Sequence, residues 1–198
     1  MAIIVDKVQK RKDIALSCQG LFMDKGMNNL TIAEVAKTAG IGKGTVYEYF
    51  KNKEDIVFEI VNTLMTEHDI EKQRRIDEQT SLKEKVKAFF SFFYDEKDEY
   101  LRTFYKEFVS ISLASSNNDI TEFKSNCSNR YFGWFEQIML DGIKNKEIIP
   151  DSKNLIQGLF VFPEGLFVSS LVTNKVIDIK KEIDIYIEEI FKLIELKK

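Results

Sequence analysis

Apolar residues recur at three- and four-residue spacing along nearly the whole chain, a period that predicts an all-α protein of about nine helices. Ile14, Cys18, Leu21 and Phe22 share one face of a first helix from about Val5 to Lys25, which Gly26 stops. Two short helices follow, Thr31 to about Thr38 and about Gly42 to Tyr49. A longer one runs from about Asn52 to Asp77, with Ile56, Ile60 and Leu64 in one stripe and a charged, solvated end from Glu67 to Glu78. Helices are then expected from Ser81 to about Tyr94 and from about Lys97 to Leu113. After a polar loop, Ser115 to Asn118, Asp119 caps a helix to about Lys146. The helix from Pro150 to about Thr173 carries so many apolar residues that it is predicted to be buried nearly all round, with a bend at Pro163. The last, about Ile179 to Leu196, puts Ile183, Ile187, Ile190, Phe191 and Ile194 on one side and Lys and Glu on the other.

The chemistry is densest between Thr31 and Lys53. Thr31 and Glu34 have the spacing of a capping box, Gly40 suits a turn needing positive φ, and Ala33, Ala36 and Ala39 let a second helix cross closely. Ile41, Val46 and Phe50 would plug the core beneath. Lys43, Gly44, Thr45, Tyr47 and Glu48 then form the outward face, with Tyr49 beside them. A cation, hydroxyls and an amide-exposing glycine on one short helix suit a DNA major groove.

Thr31, Ile32 to Ala36, Ala39-Gly40-Ile41, Gly44 to Tyr47, Tyr49-Phe50, Lys53 and Glu54 closely resemble the helix-turn-helix of the TetR/AcrR family of ligand-responsive transcription regulators. The resemblance implies a helix-turn-helix DNA-binding domain over residues 1–52. It also implies a larger helical ligand-binding and dimerisation domain over residues 53–198. Thr31, at a helix N-terminus, is expected to meet a phosphate, and Lys43 either guanine N7/O6 or a phosphate. Gly44 admits the groove wall, and Thr45 reads a base edge or a thymine methyl. Tyr47 and Lys53 look like phosphate clamps, and Tyr49 stands where the family often has histidine. Lys7, Lys10, Arg11 and Lys12 either approach the DNA backbone or form a solvated first turn.

The net charge of −3 hides an asymmetry: residues 1–53 hold nine Lys/Arg against five Asp/Glu, a balance of +4 that leaves −7 for the rest. The basic part contains the motif, so overall acidity does not argue against nucleic acid. Cys18 and Cys127 fit no zinc or disulfide pattern and read as core thiols of a cytoplasmic protein. No stretch was expected to supply the roughly 20 apolar residues of a membrane span. The sequence contains no Gly-rich phosphate loop, no G-x-S-x-G and only one histidine, His68, which is expected at a helix surface. The reading therefore includes no catalytic residues, metal or cofactor.

A three-helix domain reads too few base pairs for selectivity, so a homodimer on a two-fold double-stranded DNA operator is expected. The last two helices, with Gly158 and Gly165 on one face, are candidates for its interface, although their stripes could be used up inside the monomer. Phe89, Phe92, Phe93, Phe104, Phe108, Phe132, Phe135 and Met139, with Trp134, either line a cavity for a small hydrophobic or amphipathic effector or pack as core. The expected function is a repressor that leaves its operator when the effector binds. The alternative is a helical architectural or interaction protein that uses DNA contact without ligand control.

Overall fold

Short polar side chains set where most of the helices begin. Asp6 Oδ1 accepts from the N–H groups of Val8 and Gln9 at 2.9 and 3.2 Å and starts α1, Lys7–Ser17. After α2, Gln19–Asn29, Thr31 and Glu34 close the expected capping box at the head of α3, Ile32–Thr38. Past α4, Lys43–Tyr49, Asn52 Oδ1 accepts from Asp55 N at 2.8 Å near the start of α5, Lys53–Asp77. Ser81 caps α6, Leu82–Phe90, and two 3₁₀ turns lead into α7, Glu99–Ala114. Asn117, and not the expected Asp119, caps α8, Asn118–Lys144. A 3₁₀ segment, Pro150–Leu155, precedes α9, Ile156–Val172, and Asp178 caps α10, Ile179–Ile194. This computed structural model describes residues 6–114, 117–173 and 178–196. Val5, Ser115 and Ser116 of the expected elements lie outside them.

Ten α-helices among the described residues, against about nine expected, make the protein all-α, with an N-terminal helix-turn-helix domain followed by a helical C-terminal domain. The extra helix arises because the expected first helix divides at Cys18. There Ser17 Oγ bonds Ile14 O at 2.7 Å and the Cys18 N–H turns to Ala15 O, three residues back, which tightens and ends the α-helical ladder.

Contacts divide the chain into two units. The first comprises residues 1–68 and 103–123. Its core gathers Ile14, Cys18, Phe22, Val35, Val46, Phe50, Ile56 and Ile60, and Phe104 joins it, stacked on Phe22 at 5.5 Å between centroids. The second comprises residues 69–102 and 124–198. Its core is built on Val86, Phe89, Phe90, Phe135, Met139, Leu159, Ile183, Ile187 and Phe191. Burying each such phenylalanine or isoleucine contributes about 1.5 to 3 kcal/mol, far more than the intrinsic helix preference of any one residue.

Three expectations are corrected here. The end of α5 is solvated on one side only: Glu67, Arg74, Asp77 and Glu78 are exposed, but His68 and Lys72 are buried, and Arg75 bonds the buried Asp98 at 2.8 Å. Positions four apart on a helix share a face, so a charged stretch can still turn one side inward. Helix α9 is not buried all round, for Val161, Leu171 and Val172 are exposed while Ile156, Leu159, Pro163 and Phe167 are buried. Finally, Pro150–Val172 is long and apolar enough, by length and composition, to cross a membrane. Its inner side packs in the second core, and Glu164 pairs with Lys124 at 2.9 Å.

Two helix ends have the same hydrogen-bond geometry and different residues. After α3, Gly40 at φ 66° lets its N–H reach Lys37 O and lets Ile41 N–H reach Ala36 O. After α8, Lys146 at φ 59° occupies the equivalent position, with Glu147 N–H on Gly142 O. Only glycine takes this conformation without cost. Gly40→Ala is therefore expected to lose about 1 to 2 kcal/mol, and Lys146→Gly to gain about 1 kcal/mol, as opposite shifts of the urea midpoint. Unchanged midpoints in both variants would refute the strain at these positions.

Candidate nucleic-acid interface

Helix α4 has seven residues, too few to hold itself in place, so its position comes from what lies beneath. Val46 and Phe50 are fully buried there, and Ile41 is half-buried beside them. That anchoring leaves Lys43, Gly44, Tyr47 and Glu48 exposed on the outer side, with Tyr47 at 60%. Thr45 and Tyr49 are half-buried on its flanks. Gly42 supplies no side-chain cap, so the first amides of α4 point outward without intrahelical partners.

Thr31 is exposed at the head of α3, but its hydroxyl is engaged. Oγ1 donates to Glu34 Oε2 at 2.7 Å and accepts from Glu34 N at 3.3 Å, while Lys25 pairs with the other carboxylate oxygen. The hydrogen bonds from Lys25 and then Thr31 hold the Glu34 carboxyl below its ordinary value. Lys53 is half-buried at the first position of α5.

The sequence left Arg11 as a phosphate contact or a solvated group, and the structure does something else with it. Its guanidinium lies 4.4 Å above the centre of the Phe50 ring. Nη2 donates to Asp55 Oδ1 at 2.6 Å, Nε to Glu59 Oε2 at 2.7 Å, and Nη1 to the backbone carbonyl of Tyr49. One side chain of α1 thus ties the end of α4 to the first turns of α5. The signal was in the sequence: Arg11 lies three and seven residues before the buried Ile14 and Cys18, and Asp55 and Glu59 are four apart.

The aromatic candidates fall in two places. Phe89, Phe135 and Met139 are in the second unit's core, with Phe93 and Phe132 packed against it. Phe92 is buried in the same unit, edge-on to Phe93 at 5.5 Å. Phe104 and Phe108 belong to the first unit, where Phe108 meets Phe123 edge-on at 5.3 Å.

Residues 20–60, which include α3, α4 and the start of α5, match the family model described as bacterial regulatory proteins, tetR family. Over those residues the chain carries a TetR-family helix-turn-helix segment. An HTH-type transcriptional regulator of Staphylococcus aureus is 35% identical over 66 residues, 31% of this chain and 36% of that one. The fatty acid metabolism regulator protein of Bacillus subtilis is 26% identical over 129 residues, 63% of each chain. The chain therefore spans about a third and somewhat under two thirds of these curated relatives. A TetR-family regulator from Cytophaga hutchinsonii shares the fold with a TM-score of 0.79 at 16% identity, over 99% of this chain and 100% of that one. A Bacillus subtilis regulator in complex with stearoyl-CoA gives 0.61 at 21% identity, over 89% and 95%. A Saccharomonospora viridis regulator in complex with choline gives 0.72 at 14%, over 96% and 99%.

Two outcomes test the interface. Tyr47→Ala and Lys53→Ala are each expected to weaken binding to every duplex, with the Lys53 change lowering the salt slope by about one, whereas Thr45→Ala changes sequence preference. Parent-like binding by the first two variants would refute the phosphate roles. Arg11 supplies the second test. Burial pushes the Asp55 carboxyl up, but the Arg11 hydrogen bond and the Lys51 N–H outweigh it, leaving the folded value below 3.8. A depressed folded value means that Asp55 contributes stability at neutral pH, which is lost as pH falls below about 4 and through the folded value. Arg11→Met should be less stable at pH 7 by about 1.5 to 3 kcal/mol and should lose less on acidification than the parent. A parallel acid profile would refute the latch.

Proposed function

We propose that the protein is a homodimeric, effector-controlled repressor acting in the cytoplasm on a two-fold operator. Residues 1–52 bind DNA, and residues 53–198 dimerise and sense the effector. The observation that carries this reading is the outer face of α4, where Lys43, Gly44 and Tyr47 stand exposed over a fully buried Val46 and Phe50. Such a helix is anchored from below and, among the described residues, leaves that side open to solvent. In a major groove, Thr45 would read base edges, with Tyr47, Lys53 and the Thr31 end of α3 on flanking phosphates.

Dimerisation is supported by apolar surface on the last two helices. Val161, Leu171, Val172, Ile185 and Leu193 are exposed, and Phe162 stacks on Tyr186 at 3.9 Å between them. A symmetric four-helix contact would remove this surface from water. The aromatic core of the second unit supports an apolar or amphipathic effector, in line with the stearoyl-CoA bound by the Bacillus subtilis regulator. The effector works only if the conformation it favours mismatches the operator.

Selection of bound duplexes from a random pool by the purified protein tests the reading. A two-fold motif is expected, with half-sites centred about 34 to 36 Å apart or a multiple of that. Val161→Glu should give a monomer in sedimentation and lose the two-fold motif. Recovery of no preferred sequence would favour DNA contact without regulation and refute the operator.

A further inference from the structure

Lys72 is the one lysine among the described residues that the fold buries, with 6% of its surface exposed. Among the described residues its ammonium makes a single hydrogen bond, to Phe89 O at 2.8 Å. An ammonium has three donors, so two positions are unfilled. Around it stand aromatic rings: Phe89 with its centre 4.5 Å away, Tyr131 at 5.6 Å and Phe92 at 5.8 Å. The nearby carboxylates are engaged elsewhere. Asp98 is bonded by Arg75 at 2.8 and 3.3 Å, and Asp69 accepts from Tyr131 Oη at 2.7 Å and pairs with Arg130 at 3.3 Å. A buried charge with most of its donors unused is a costly arrangement for a purely structural residue.

We infer that Lys72 is the anchor for the head group of an amphipathic carboxylate, whose apolar body lies among the aromatic residues of the second unit. This rests on the effector reading above and goes further by fixing the charge of the ligand. A carboxylate at Nζ fills the open donor positions with charge-assisted hydrogen bonds in a site from which water is already excluded. Tyr131 and Trp134, stacked at 6.3 Å, are each half-buried, unlike the fully enclosed Phe89 and Phe135. Burial lowers the Lys72 pKa to about 8, opposed by Asp69 and Asp98 and reinforced by Arg75, and an arriving anion would raise it again by favouring the charged form. The same geometry disfavours a cation. Aromatic faces of this kind suit a quaternary ammonium, but here the protein's own ammonium occupies them, and a second cation would meet its repulsion while Asp69 and Asp98 are already engaged by Tyr131, Arg130 and Arg75.

Trp134 is the only tryptophan and lies edge-on to Phe89 at 5.6 Å, so its fluorescence reports on the site. The full-length protein is titrated with laurate, 1-dodecanol and dodecyltrimethylammonium, which share one chain length, each below its aggregation threshold, with calorimetry as the second readout. Laurate is expected to bind at least about ten-fold tighter than the alcohol, and the ammonium weakest. Lys72→Met should reduce laurate to the level of the alcohol while leaving alcohol binding intact, and Lys72→Arg should keep the preference. A Lys72→Met protein that still prefers laurate overturns the assignment. Equal binding of all three probes by the parent overturns it too, while the effector reading survives. If the parent binds none of them, both fall. The head-group preference of the parent decides even if a variant fails to fold.

Discussion

The placement of the recognition helix depends on one guanidinium. A seven-residue helix gains little from its own hydrogen bonds, and Val46 and Phe50 fix its depth but not its angle. Arg11 supplies the missing restraint by bonding Asp55, Glu59 and the carbonyl of Tyr49 at once while lying flat on Phe50. The planar fork makes this possible, because a lysine has a single point of charge and no flat face to stack. Two carboxylates around one guanidinium also leave the first turns of α5 with little net negative charge beside the exposed face of α4, because their charge is largely balanced by Arg11.

The second unit uses charge differently. Arg75 with Asp98, and Tyr131 with Asp69, are partly or fully withdrawn from water, where ion pairs seldom add net stability over a packed apolar alternative. Their effect is on geometry. Each joins the inward side of α5 to a different segment, the turn before α7 in one case and α8 in the other, and an apolar substitute would tolerate slippage that a fixed donor and acceptor do not. Burial and then Asp69 push the Tyr131 phenol well up, so it stays a protonated donor at any pH the protein would meet.

The helix-turn-helix was legible because its signals are local. Capping at Thr31, the positive φ of Gly40 and the anchors Val46 and Phe50 each follow from a few neighbouring residues, and all four are present. What escaped the sequence depended on partners distant in the chain. Arg11 finds Glu59 forty-eight residues away, and Lys72 finds Phe89 seventeen away. Periodicity shows which residues share a helix face and says nothing about what that face meets. The break at Cys18 was missed because apolar spacing continues through it, and the open side of α9 because a uniformly apolar helix has no polar stripe to mark its exterior.

An ammonium with one of its three donors bonded has a consequence for selectivity. Apolar walls distinguish ligands by area removed from water, and one methylene more or less changes affinity by about 1 to 3 kcal/mol at most. A buried donor set is harsher, since a ligand without an acceptor leaves Lys72 as it is in the unoccupied protein and gains nothing for its head group. The sensor would therefore be strict about the charged end and permissive about chain length. For a regulator that permissiveness is useful: a set of related amphipathic acids would shift the same equilibrium, each in proportion to its differential affinity for the two conformations, while neutral and cationic molecules of equal size would not.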